Sequence, residues 1–175
     1  MTETLPIATF ETDLPVTVYL RPIGAAAQEW VEFDQGPGRL SIPPQNEIYL
    51  RVKNIDDDEL YRLVKSVSSL PGLTYLNLSE NRKVTDGGLA RLVALPWLTR
   101  LNLSSCNITN HGLPHLTALK KLEHLDLSYC NRISDEGLRA LKSLRRLTFL
   151  DLQGCVKTSH AGIRKIERRG LTIHS

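Results

Sequence analysis

The sequence predicts an α/β stack of short strand–helix units behind a small β-rich cap. Three observations carry this. Segments opening at Leu73, Leu98, Leu122, Leu147 and Leu171 recur at spacings of 25, 24, 25 and 24 residues. Within each, an apolar alternation of period two gives way to apolar residues at every third position. Residues 1–47 follow neither rule and show short apolar runs separated by Gly and Pro.

In the N-terminal segment Val16, Val18 and Leu20 alternate with Thr17, Tyr19 and Arg21. Val31 and Phe33 alternate with Trp30, Glu32 and Asp34, and Leu40 and Ile42 form a third pair before Pro43-Pro44. Such runs between turn residues are expected to form antiparallel hairpins. A cap is the expected role, because an open repeat end exposes core and sheet edge. A separate β ligand-binding module is the alternative. A degenerate repeat, 48–72, follows, with Ile48, Leu50 and Val52 alternating. Its helix is expected to begin at Asp56-Asp57-Asp58-Glu59, where carboxylates favour the positive end of the helix dipole, and to run through Leu63 and Val67.

The full repeats span 73–97, 98–121, 122–146 and 147–175, the last carrying the C-terminal cap, so the repeat domain is 48–175. Their first halves read LTYLNLSEN, LTRLNLSSC, LEHLDLSYC and LTFLDLQGC, each a strand with one face buried. Their second halves read VTDGGLARL, ITNHGLPHL, ISDEGLRAL and TSHAGIRKI, each a short helix on the opposite side. Thr85, Thr109, Ser134 and Ser159 are placed to cap those helices. Gly88, Gly112, Gly137 and Gly162, three residues on, suggest close backbone approach between neighbouring repeats. No unit can bury its apolar face alone, so the units must stack.

The pattern LxxLxLSxCxxITDxGLxxL, clearest in LEHLDLSYCNRISDEGLRAL at 122–141, resembles the cysteine-containing leucine-rich repeats of F-box-type substrate receptors. The resemblance covers roughly residues 48–175. It implies a short right-handed solenoid, with a parallel sheet on the concave side and helices on the convex side. It also implies protein recognition by the concave face or adjoining loops. Residues 1–47 do not resemble an F-box, so no ubiquitin-ligase role is carried over.

Composition, with 41% hydrophobic and 23% charged residues, fits a soluble globular chain. No apolar run is long enough to span a membrane and the N-terminus lacks the apolar region of a signal peptide. Three cysteines are too few for a disulfide framework. The glycosylation sequons at Asn77 and Asn102 fall inside expected strands. A reducing, cytoplasmic location follows. Charge is uneven: residues 1–60 carry 11 acids and 4 bases, whereas 61–175 carry 8 acids and 18 bases.

Cys106, Cys130 and Cys155 occupy position nine, where Asn81 stands in the first full repeat; a side chain there turns inward onto backbone groups. His111 and His115 lack a third ligand for zinc, so no metal or other cofactor is expected. His124 and Asp126 share a strand face but lie about 6–7 Å apart, long for a base and its orienting group. Neither GxxxxGK[ST] nor GxGxxG occurs. No catalytic residues are assigned, and an enzyme is not expected.

The favoured function is a non-catalytic interaction module or adaptor. Position three of each strand carries Tyr75, Arg100, His124 and Phe149, types enriched at interface hot spots. Asn77, Asn102, Asp126 and Asp151 at position five, with Tyr129 and Arg51, complete the candidate partner site. Tyr49 and Lys53 extend that surface. A face of five strands projects only about 300 Å², against about 800 Å² per partner in a standard interface. Loops and cap are therefore expected to contribute. The alternative is charge-driven binding of a polyanion, nucleic acid or acidic membrane, through Arg139, Lys142, Arg145, Arg146, Arg164, Lys165, Arg168 and Arg169. No small-molecule substrate is expected.

Overall fold

The computed structural model describes residues 8–25 and 29–175. Residues 1–7 and 26–28, part of the expected N-terminal cap, lie outside the described residues. Five strands come first: β1 (Ala8–Thr12), β2 (Val16–Pro22), β3 (Val31–Gln35), β4 (Gly38–Ile42) and β5 (Asn46–Val52). Then α1 (Asp57–Val67) leads into alternating short elements: β6 (Leu73–Asn77), α2 (Asp86–Leu89), β7 (Arg100–Asn102) and α3 (Leu113–Leu116). The last are β8 (His124–Asp126), α4 (Asp135–Leu138), β9 (Phe149–Asp151), α5 (His160–Arg164) and β10 (Thr172–His174).

One sheet runs through the molecule in the order β10-β9-β8-β7-β6-β5-β2-β3. From β5 to β10 neighbours are parallel, and β2 is antiparallel to both β5 and β3. The apolar runs of the N-terminal segment therefore do not form one unit. β2 and β3 continue the repeat sheet, whereas β4 pairs antiparallel with β1 in a separate two-stranded sheet. That small sheet lies against α1, burying Phe10, Leu40 and Ile42. An Arg62–Asp13 ion pair joins α1 to the turn after β1. All five residues of β3 are exposed, including Val31 and Phe33. Their alternation marks an edge strand, without a buried face.

The core is a set of leucine columns. Leu76, Leu101, Leu125 and Leu150 stack across the strands and are at most 2% exposed. Behind them Leu89, Leu113, Leu138 and Ile163 stack along the helices, all buried. Each fully buried side chain of this kind contributes about 1.5–3 kcal/mol, so the columns are the main term holding the stack. α1 is the longest helix and starts with a full capping box. Asp56 accepts from the Glu59 amide at 2.9 Å, and Glu59 accepts from the Asp56 amide at 3.0 Å. Its buried face is Leu60, Leu63, Val64 and Val67. The later helices are single turns, and α2 and α4 run on as 3₁₀ segments, Ala90–Ala94 and Arg139–Ser143. The 3₁₀ form rises more per residue, so it crosses the convex side with fewer residues.

The recurring glycines have a different cause from the one expected. What approaches each is a side chain of the preceding repeat, not its backbone. A Cβ on Gly88 would sit 2.5 Å from an Asp57 carboxylate oxygen, and Gly112, Gly137 and Gly162 face Asp86, Asn110 and Asp135 in the same way. Those side chains have work to do. Asp57 accepts from the Thr85 amide at 2.8 Å and from its hydroxyl. Asp86 does the same to Thr109, and Asp135 to Ser159. Asn110 accepts from the Ser134 amide at 2.9 Å and donates to its hydroxyl at 2.8 Å. Each repeat thus fixes the helix start of the next. Ser159 and Thr85 also cap their own helices, whereas Ser134 makes no such bond.

Position nine turns inward throughout. Asn81 donates to Val52 O and Leu78 O, both at 2.9 Å, and accepts from the Ile55 amide at 2.9 Å. Cys106, Cys130 and Cys155 donate to Leu78 O, Leu103 O and Leu127 O at 3.0, 3.2 and 3.1 Å. All three thiols are free and buried. Burial pushes the Cys106 and Cys130 thiols up to about 12.

Candidate functional site

Strand register places equivalent side chains side by side. Tyr19 pairs with Tyr49, Tyr49 with Tyr75, Tyr75 with Arg100, Arg100 with His124 and His124 with Phe149. The result is one row of six large side chains crossing six strands, all half-buried. Its first half is a stack: Tyr19–Tyr49 centroids are 4.6 Å apart at 18°, and Tyr49–Tyr75 4.2 Å apart at 14°. Trp30 lies across this stack, 5.6 Å from Tyr49 and 6.3 Å from Tyr75. Arg21, paired with Glu47, sits 4.5 Å over the Trp30 ring. In the second half His124 and Phe149 are 5.9 Å apart.

Between the Tyr75 and Phe149 rings is a depression of about 170 Å³, lined by Arg100, Asn102, His124 and Asp126. No ion pair to Arg100 is formed among the described residues. His124 Nδ1 is buried with no hydrogen-bond partner among the described residues. Burial, and after it the Arg100 guanidinium, holds the His124 pKa below its ordinary value. Burial likewise raises the Tyr75 and Tyr49 phenols. Larger hollows of about 640 and 400 Å³ lie over the last repeat near His160 and Ile163. They occupy the face that each earlier repeat buries against its successor.

The position-five row has other employment. Asn77, Asn102, Asp126 and Asp151 each accept from a backbone amide two residues on, at Ser79, Ser104, Ser128 and Gln153. These are Asx turns that bend the chain out of each strand. Their remaining atoms are also engaged. Asn77, only 8% exposed, donates to the Tyr49 hydroxyl at 3.1 Å, and Asn102 donates to Asp126 at 2.9 Å. Asp151 faces the His174 ring at 3.1 Å. This row shapes the floor of the groove; the position-three row presents the large side chains. Arg51 flanks Asn77, with its Nε buried and unpartnered among the described residues. Tyr129 lies beyond its strand, in a left-handed turn at φ 59, with its ring over Gly154 and 53% exposed.

The basic residues divide. Arg139, Lys142, Arg145, Arg146, Arg164, Lys165 and Arg169 are exposed. Arg168 is not part of that surface: it is half-buried, donating to Leu144 O and, at 3.0 Å, Leu147 O. It stands where earlier repeats have a leucine, and it covers carbonyls of the preceding turn. His111 and His115 are both exposed. Among the described residues no helix is long and apolar enough to cross a membrane.

Sequence reasoning missed Tyr19 and Trp30. Tyr19 was legible only as the polar side of an alternation, since nothing local shows that β2 lies antiparallel to β5. The shared Tyr-Leu-Arg at 19–21 and 49–51 is the one signal that could have suggested it.

A parallel sheet with one side chain row exposed, helices behind and a fixed period defines an α/β repeat solenoid. The repeats are leucine-rich repeats: a leucine-rich repeat model matches residues 71–93, and a two-copy leucine-rich repeat model matches 96–140. No curated protein matches the chain. Among solved structures, yeast Rad7, in a Rad7 and Elc1 complex, is similar at 24% identity and a TM-score of 0.57, covering 68% of this chain. This chain spans 30% of that one. Internalin C2 of Listeria monocytogenes is similar at 26% identity and a TM-score of 0.46, over 63% of this chain and 44% of that one. The internalin InlF of the same organism is 20% identical with a TM-score of 0.41, over 63% of this chain and 36% of that one.

Proposed function

We propose that this chain is a non-catalytic module that holds a partner protein on the strand face of its leucine-rich repeats, in the cytoplasm. The supporting observation is the unbroken row Tyr19–Tyr49–Tyr75–Arg100–His124–Phe149, which places aromatic and Arg side chains side by side across the strand face. Among the described residues two buried nitrogens of that face, His124 Nδ1 and Arg51 Nε, have no hydrogen-bond partner. Leucine-rich repeats commonly serve as protein-binding surfaces, and Rad7, of the same fold, was solved together with Elc1. Tyr75, Arg100, His124 and Phe149 are the residues proposed to carry contact, with Tyr19, Trp30 and Tyr49 extending the surface onto β2 and its hairpin.

The test is affinity capture from native extract with wild type and Tyr75→Ala/Arg100→Ala/Phe149→Ala at two salt concentrations. A protein retained by wild type at both and lost by the variant is the expected result. Each hot-spot truncation costs more than about 1 kcal/mol, so the triple variant should bind more than a hundredfold more weakly. Undiminished binding by a folded variant would remove the strand face from consideration.

A further inference from the structure

The turns that lead each helix back into the next strand share one geometry. In each, the amide of the first strand leucine bonds the carbonyl three residues earlier: Leu73 to Leu70, Leu98 to Leu95, Leu122 to Leu119, Leu147 to Leu144 and Leu171 to Arg168. Two residues therefore sit at the tip of every turn. In the first two turns they are Pro71-Gly72 and Pro96-Trp97, with the Pro that such turns favour. In the next three they are Lys120-Lys121, Arg145-Arg146 and Arg169-Gly170. Turn geometry has no need of paired cations, and paired like charges repel across adjacent repeats.

Parallel register stacks these tips, since the Thr99, Glu123 and Thr148 carbonyls each receive the amide of the following repeat. Lys120, Lys121, Arg145, Arg146 and Arg169 are all exposed, and none forms an ion pair among the described residues. The nearest carboxylates in sequence, Glu123 and Glu167, are exposed and likewise unpaired. The two spacings between these three turns make a ridge about 10 Å long, the axial length of about three nucleotides of one strand. None of the exposed large apolar residues lies in these turns, so a membrane would find nothing to insert.

We propose that this ridge is a second binding site, distinct from the strand face, which contacts the phosphate backbone of nucleic acid without reading sequence. No exposed aromatic ring stands on the ridge to stack on bases, and backbone contacts by Lys and Arg position rather than specify. Five phosphate contacts on duplex predict log K falling with log salt at a slope of about −4.5, and the roughly three phosphates a single strand offers along the ridge a slope of about −2. From 50 to 200 mM salt, duplex affinity should then fall about 500-fold.

The test is fluorescence anisotropy with a labelled 20-nucleotide dT strand and a 20-base-pair duplex at 50 and 200 mM KCl. A ridge variant, K120E/K121E/R145E/R146E, is compared with R82E/K83E/R132E/K157E, which reverses as many charges on the opposite loop edge. Thermal melts check that both variants fold. The expected result is at least a tenfold loss in the ridge variant, less than threefold in the other, and the steep salt slope. Equal losses in both variants, a flat salt response or no binding at 50 mM would overturn the site. So would binding to phosphatidylserine-containing vesicles without binding to either oligonucleotide.

Discussion

Gly88→Ala sets two effects of opposite sign against each other. Gly88 lies in α2, where alanine is ordinarily better than glycine by about 1 kcal/mol. The added methyl, however, would stand 2.5 Å from Asp57 Oδ1, the oxygen that holds the Thr85 amide at 2.8 Å. Displacing that carboxylate breaks this bond and the one from the Thr85 hydroxyl. Hydrogen bonds to charged groups contribute about 1.5–3 kcal/mol each, so losing both costs about 3 kcal/mol at the low end. The net is a destabilisation of about 2 kcal/mol, or a midpoint lowered by about 4–8 °C for a chain of this size. A double-mutant cycle isolates the cause. In an Asp57→Ala background the carboxylate is gone, and Gly88→Ala should be neutral or stabilising by about 1 kcal/mol. Calorimetry or urea melts of the four proteins give the coupling, expected near 3 kcal/mol. If Gly88→Ala destabilises as much without Asp57 as with it, the side chain joint is not why glycine is there.

Further outcomes are expected elsewhere. The three buried thiols should resist Ellman's reagent at pH 8 in the native protein and all react in guanidinium, because burial raises all three, Cys106 and Cys130 to about 12, and keeps them protonated. Rapid native labelling would contradict the inward hydrogen bonds. Asn81→Ala should cost about 3 kcal/mol in urea melts by stranding Ile55 N and two carbonyls. Asn81→Cys, which imports the later repeats' residue and keeps the bond to Leu78 O, should cost clearly less. His124 has a depressed native pKa, so the native state binds fewer protons than the unfolded chain between the two pKa values. Its stabilising share is full above about 6.5, the unfolded value, and is lost as pH falls through the native value. Thermal midpoints should therefore drop from pH 7 to pH 5, and His124→Phe should flatten that part of the profile. Asp135, lowered by the Ser159 hydroxyl and then its amide, acts in the acid range below the usual carboxylate value and is separable.

The repeat was legible because its signal is internal to each unit. Leu76, Leu101, Leu125 and Leu150 announce their column by alternation alone, and Asn81 and the cysteines announce theirs by position. Features that depend on which strand lies beside which were less so. Tyr19 joins the aromatic row only through antiparallel pairing with β5, and the same alternation would suit any hairpin. Gly112 looked like a backbone contact because the Asp86 carboxylate that fills its space is 26 residues upstream. Arg168 read as surface charge, since only the stacked fold puts Leu144 O and Leu147 O within its reach. Asn77 and its equivalents were rightly placed on the strand face, yet their local Asx bonds engage them before a partner could.

The Asp-to-Thr joint also makes the array extensible. Residues 98–121 carry both halves of it: Thr109 donates to Asp86 in the repeat before, and Asn110 reaches Ser134 in the repeat after. A second copy of that segment, spliced in behind the first, would arrive with its own plug and its own socket. Lengthening the protein by whole periods therefore needs no compensating change in either neighbour, whereas a splice out of phase would leave a carboxylate facing a leucine.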